Sequence, residues 1–451
     1  MKRTSPFIGA CFVFAMIATG SSQTLSEAAQ QRMSDHSLMV PVAGTAQAGP
    51  QRMAPRSLSS SSVSLKSSTF SKSNTFFKSS TSFKSNTDAQ NSSAKGNPGG
   101  LPGIDSVPNF TRAFRSQGQV WPFTMIGNDP LLGRRTRVPA RILAVSLELQ
   151  NADLVSTTKV PVAQFEERVL RSPNFEESNY SSGDGIQFAD AIQRAEFFHS
   201  MQEDWHTELH PATVVDHMTL QIPRFTTVTV DGVPTQVRTY FSGTADDGST
   251  FVLLLDEFFN DAFFNAVSDQ IGANHFSTDA LNIVLLPNTF LFSEAEGPAG
   301  SLTTGFHTFL FDDTTNPEPV WISIFASWIS PGLFGTGIQD VTTLSHEISE
   351  SINNPFLINS VPAWQFPGFP GTCQDNLEIA DPIEALDNET FPIQINQGRG
   401  NFVYHPQIMA LLPWFEDDPR SNAIHGAFSY PDTTALTGPA IPFGPLSCPT
   451  Q

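Results

Sequence analysis

The feature that most restricts the fold is a block of three apolar runs followed by a single helix. The runs are 280–292 (ALNIVLLPNTFLF), 305–313 (GFHTFLFDD) and 320–330 (VWISIFASWIS). Each has the length and the β-branched and aromatic content of a buried strand. A glycine-rich stretch, PGLFGTG, comes next, and then a helix expected over 341–353. Asp340 is placed to cap that helix and Pro355 to stop it. Strands in succession and then a helix suit a mixed α+β domain better than alternating βαβ units.

The remaining elements fit that class. Residues 138–151 (VPARILAVSLELQN) alternate as a strand, and 225–243 read as a hairpin turning at Asp231 and Gly232. A strand beginning at Ser249 runs into a helix that reaches about Val267. In 188–202, Phe188, Ala191, Ile192, Ala195 and Phe198 fall at helical spacing. The part after Pro355 is loop-rich, with a further helix expected in 406–415 (PQIMALLPWF).

Ahead of this body the chain changes character. Residues 1–22 read as an export signal: Lys2 and Arg3 precede the apolar run PFIGACFVFAMIATG, and Ala18, Gly20 and Ser22 offer small residues for cleavage. Residues 23–104 form a Ser/Lys/Asn-rich tract with isolated phenylalanines, too poor in apolar surface to offset chain entropy, and are expected to be a disordered linker. The ordered domain then spans 105–451, with room for a subdivision near residue 275. A secreted, extracellular or periplasmic location follows from the signal, and no later run is long enough for a transmembrane segment. In such a compartment Cys373 and Cys448, left after Cys11 departs with the signal, are expected to form a disulfide. Charge is uneven along the chain. The first 95 residues hold ten basic and three acidic residues, leaving 14 basic and 41 acidic in the remainder. A body so acidic repels phosphate backbones, so nucleic acid is not an expected partner.

The chemistry concentrates in LSHEISESINNP, 344–355. On a helix His346 and Glu350 lie one turn apart on one face and can reach a single divalent ion. Glu347, about 100° round the helix, can address a water beside that ion instead of the ion itself. A catalytic zinc needs a third protein ligand and an open position. The best candidates are Glu378 and Asp381 in CQDNLEIADP: one carboxylate to complete the set, the other to hold His346 by a hydrogen bond. On the residues alone, an acidic helix with a solvated face accounts for HEISE equally well.

The segment from Ser345 to Asp381 resembles the zincin metallopeptidases, particularly those whose third ligand is a glutamate on a later segment with an aspartate just beyond it. LSHEISESINNP followed by LEIADP also resembles plant secreted proteins of the phosphate-induced, Exordium-like type, and SPNFEESNY, QFADAIQRAEFF and YHPQ resemble segments of secreted soil-bacterial proteins. The zincin resemblance implies a zincin-like mixed sheet followed by an active-site helix and Zn2+ or another divalent cation. It makes His346, Glu350 and Glu378 the ligands, with Asp381 behind them. It makes Glu347 the general base and peptide or amide bonds the substrate. It further implies a late proton donor or oxyanion stabiliser, for which Tyr404 and His405 are placed. The chain departs from the zincin pattern in having HExxE for HExxH. The added negative charge weakens the ion as a Lewis acid and admits manganese or iron, or calcium if His346 stands outside the set.

Other histidines read more plainly. His206 and His210 are spaced as a helical ligand pair, but Pro211 follows at once and the segment reads first as a wall or surface helix. His307 reads first as a core or edge histidine on its strand. Serine-hydrolase elbows, phosphate-binding loops and redox cysteine pairs are all lacking. Two functions therefore stand: an exported metal-dependent hydrolase, or a non-catalytic secreted protein with a structural metal that binds a cell-surface polymer.

Overall fold

The computed structural model describes residues 22–23 and 101–440, apart from 181–184, 231–232, 335–336, 367–372, 385 and 397–400. Residues 1–21 of the expected signal, 24–100 of the expected linker and Cys448 lie outside the described residues, and the expected Cys373–Cys448 pairing lies there with them. Ser22 and Gln23 pair antiparallel with Thr303 and Leu302. Beyond them, description resumes at 101, and strand structure begins at Ile104–Asp105.

The body is α+β. Its main elements are β1 (Arg135–Gln150), β2 (Ser156–Val160), α1 (Phe188–Glu196), β3 (His206–Ile222), β4 (Thr250–Leu255), α2 (Asp256–Gly272), β5 (Leu281–Pro287), β6 (Thr289–Phe292), β7 (Gly305–Phe311), β8 (Glu318–Trp328) and α3 (Thr342–Asn353). The large sheet runs β7–β8–β5–β1, with β2 and β3 both on β1. The contacts β8–β5, β5–β1 and β1–β3 are parallel, whereas β7 runs antiparallel to β8 at the edge. Strands from both sides of residue 275 share this sheet, with Leu281 opposite Ala140.

The apolar run 280–292 is two strands, not one. β5 lies in the large sheet, while β6 lies in a second sheet beside β4. The chain changes sheets at Pro287 and Asn288. Proline offers no N–H to a continuing ladder, and Asn288 takes a left-handed φ of 41°. The Asn288 amide then ties the corner, donating to Ser249 and Ser330 hydroxyls and accepting from Ser330 N.

Two helices are shorter than their apolar periodicity suggests. α1 ends at Glu196, before Phe198, and within 406–415 only Leu412–Phe415 is helical. The His206–His210 segment is the start of strand β3 instead of a helix. Four residues along a strand span about 13 Å, so these two imidazoles cannot share an ion. His206 instead bonds Asp190 at 2.7 Å.

Helix α3 packs on β8 and β7. Leu344, Ile348 and Ile352, at i, i+4 and i+8, enter the core formed with Ile324, Ala326 and Trp328 of β8. Each such burial contributes about 2 kcal/mol. All twelve residues of the helix are buried, which excludes a solvated face for HEISE. The capping differs from expectation. Asp340 has a φ of 45° and spends its carboxylate on the His405 ring, His405 N and Val341 N. Val341 occupies the cap position and supplies no side-chain acceptor.

Candidate metal centre

With its apolar ridge on the sheet, α3 turns His346, Glu347 and Glu350 toward β7 and toward the loop that carries Glu378, Asp381 and Glu384. His346 and Glu350 are 1% and 3% exposed. Glu350 Oε2 lies 3.0 Å from His346 Nε2, and Asp381 Oδ1 lies 3.5 Å from the same nitrogen. His346, Glu350 and one loop carboxylate thus come together. The other loop carboxylate, Glu378, faces a different imidazole: its Oε2 lies 3.7 Å from His307 Nε2.

The tautomer of His346 is set by Gln407. The Gln407 Nε2 donates to Ala380 O at 2.9 Å, which directs its Oε1 to His346 Nδ1 at 3.0 Å. An amide oxygen only accepts, so Nδ1 carries the proton and Nε2 presents its lone pair to the cluster. That lone pair has no hydrogen-bond partner; nor do His307 Nε2, Glu378 Oε2 or Glu384 Oε1, although all four atoms are buried. Orphaned buried groups of this kind are costly. Divalent cations would satisfy such groups, and imidazole with carboxylate is a donor set that suits zinc, manganese or iron.

Further contacts fix the carboxylates. Glu350 Oε1 accepts from Ala380 N at 3.1 Å, and Glu378 Oε1 accepts from Asn354 Nδ2 at 3.0 Å. Asn354 therefore closes the helix and also holds a cluster residue. Gly305 admits β7 beside the helix: a Cβ there would meet Thr343 Cγ2 at 2.4 Å and Glu347 Oε1 at 2.9 Å.

Burial dominates the electrostatics. It pushes Glu347 and Glu350 up to about 8, offset in part by His346 and His307 respectively. Burial, with Glu350 and Asp381 adding repulsion, holds Glu378 well above the ordinary glutamate value. Glu384 rises for the same first cause, with Asp381 and Glu389 adding to it.

His307 is thus part of the cluster, not a bystander on its strand. Its Nδ1 lies 3.4 Å from Glu347 Oε2 and 3.6 Å from Glu350 Oε2. Glu384 and Gln407 also escaped the sequence reading. Two residues expected near the chemistry stand apart from it. The Tyr404 hydroxyl donates to Arg168 O at 2.8 Å, within the apolar core. His405 pairs with Asp340 at 2.7 Å and meets the Gln339 amide at 3.1 Å, at the N-terminal end of α3. Neither belongs to the three groups of converging donor atoms among the described residues: His307–Glu350–Glu378, His346–Glu347–Glu350 and His346–Asp381–Glu384.

No family model matches the chain, and no curated protein or solved structure matches it either.

Proposed function

We propose that the protein is an exported metal-dependent hydrolase with a zincin-like domain, acting on peptide or amide bonds. The observation that carries this reading is the convergence of His346 Nε2, Glu350 Oε2 and Asp381 Oδ1, with the imidazole's other nitrogen committed to Gln407. A divalent ion bound there, Zn2+ or another, would supply a Lewis acid to polarise a carbonyl and to make a coordinated water more acidic. Glu347 is the group that takes and returns the proton. Its Oε1 is 4.0 Å from His346 Nε2, further than Glu350 at 3.0 Å, which leaves it for the proton instead of the ion. The peptide class is supported by β7. This strand carries His307, pairs with β8 on one side, and has no strand partner on its other edge among the described residues. An extended chain can add to such an edge through main-chain hydrogen bonds.

A second reading has its own support. The near-complete burial of the cluster favours a structural cation in a non-catalytic secreted protein that binds a cell-surface polymer. Glu347→Gln separates the two. Metal content by elemental analysis stays at the parent value under both. Hydrolysis of a mixed fluorogenic peptide library falls by about 10²–10⁴-fold under the first. Metal-loaded parent protein with no hydrolysis at all would overturn the enzyme reading. Absence of stoichiometric metal would overturn both.

A further inference from the structure

We propose that the centre holds two divalent cations per chain, bridged by Glu350. This rests on the metal-binding reading above and deepens it.

Three observations carry it. First, the converging donor atoms divide into two lobes. One is the group His307–Glu378 with Glu350; the other is centred on His346, which converges with Glu347 and Glu350 and, separately, with Asp381 and Glu384, and no group of converging atoms contains both imidazoles. Glu350 belongs to both lobes. A single oxygen of it, Oε2, lies 3.0 Å from His346 Nε2 and 3.6 Å from His307 Nδ1, beside the ring whose Nε2 faces Glu378. Its other oxygen is held by Ala380 N, so the side chain is fixed with Oε2 between the two rings.

Second, each lobe has its own orphaned atoms. His307 Nε2 and Glu378 Oε2 face each other at 3.7 Å without a hydrogen bond, and His346 Nε2 and Glu384 Oε1 are likewise unpartnered. One cation at His346 would leave the His307–Glu378 contact unsatisfied. A buried carboxylate oxygen and a buried ring nitrogen left facing each other at that distance call for a group between them.

Third, the charge of the metal-loaded cluster favours it. Glu347, Glu350, Glu378 and Glu384 are all buried side chains. Among the described residues their ion pairs are with His307 and His346 alone, and none is with lysine or arginine. One divalent ion balances two of these four carboxylates and two divalent ions balance all four. Asp381, which accepts a hydrogen bond from Gln374, adds a fifth acidic group beside them. A single cation leaves the other carboxyls either protonated, as burial favours, or as uncompensated buried charge, whereas a second cation compensates them.

The test is metal stoichiometry of the full chain. The protein is stripped with a chelator and titrated with Mn2+, with bound metal measured after desalting and by electron paramagnetic resonance. Two Mn2+ per chain with an exchange-coupled spectrum is the expected result. His307→Ala and Glu378→Gln should each lower the value from two to one and leave an uncoupled signal, while Glu350→Ala, which removes a ligand of both ions, should lower bound metal to a small fraction of the parent value. Thermal melts identify any variant that fails to fold, and the conservative Glu378→Gln keeps the test available if His307→Ala does not. One Mn2+ per chain in the saturated parent overturns the two-cation centre and leaves the single-ion hydrolase standing. Two uncoupled ions overturn the Glu350 bridge. No bound metal overturns the hydrolase reading as well.

Discussion

Away from the exposed surface, the described residues hold two kinds of histidine–carboxylate contact, and their difference separates a self-sufficient pair from a cluster that could hold an ion. At Asp190–His206, the ring nitrogen lies 2.7 Å from one carboxylate oxygen and Thr207 N donates to the other at 2.9 Å. Asp340–His405 repeats the arrangement, with His405 N on the second oxygen. In both, one imidazole meets one carboxylate and each carboxylate oxygen has a donor. The cluster between α3, β7 and the loop is built otherwise. Two imidazoles face several carboxylates at 3.0–3.7 Å, and both Nε2 atoms remain without hydrogen bonds. A self-sufficient pair locks two elements together. An unsatisfied convergent set has a place for something else.

The comparison can be broken most directly by substitution. Glu350→Ala should remove the shared ligand and reduce bound metal to a small fraction of the parent value, whereas His206→Ala should leave metal content unchanged; elemental analysis of both proteins decides it. Equal metal in both would mean that the cluster is not the site. The next largest effect is on stability. A chelator should destabilise the protein by at least about 2.7 kcal/mol relative to protein held at 100-fold excess of metal over Kd, read as a fall in Tm. The same treatment of Glu350→Ala should change nothing.

The pH dependence sharpens the contrast. Glu347 and Glu350 are pushed from 4.5 up to about 8 by burial. Between those values the folded metal-free protein binds protons that the unfolded chain has released, so its stability falls as pH rises. Bound metal takes the place of those protons and should flatten this trend. Urea melts of stripped and loaded protein across that window should therefore diverge with increasing pH, and curves that converge would contradict the arrangement. Smaller still, Asp190→Asn should cost about 1–3 kcal/mol through the lost charged hydrogen bonds with no effect on metal. Tyr404→Phe should cost about 1 kcal/mol, the worth of its bond to Arg168 O, and leave turnover intact. A loss of turnover in that variant would return Tyr404 to the chemistry.

How far the site could be read beforehand depended on distance along the chain. His346, Glu347 and Glu350 were legible because a helix fixes its own geometry from spacing alone. The loop carboxylates were legible as a pair, but not which ring each one faces: Asp381 faces His346, and Glu378 faces His307. His307 lies on a strand, where no periodic signal distinguishes an edge histidine aimed at a neighbouring helix from one that packs in the core. Gln407 gave no signal either, since an amide carries no charge and its function here is to orient a ring sixty-one residues earlier in the chain. The i, i+4 rule misled at His206 and His210, because it holds only on a helix and that segment is extended.

The sequence by itself determined the α+β class, the three apolar runs and the helix that bears HEISE, because these follow from local periodicity and from the positions of Gly and Pro. Even there it could not show that the first run turns into a second sheet at Asn288. Only the tertiary structure decided that β7 lies against α3, that Gly305 allows the approach, and that one oxygen of Glu350 stands between two imidazoles. Each of these is a contact between segments distant in sequence. Such contacts are selected by the packing of the whole core, and no short stretch of sequence encodes them.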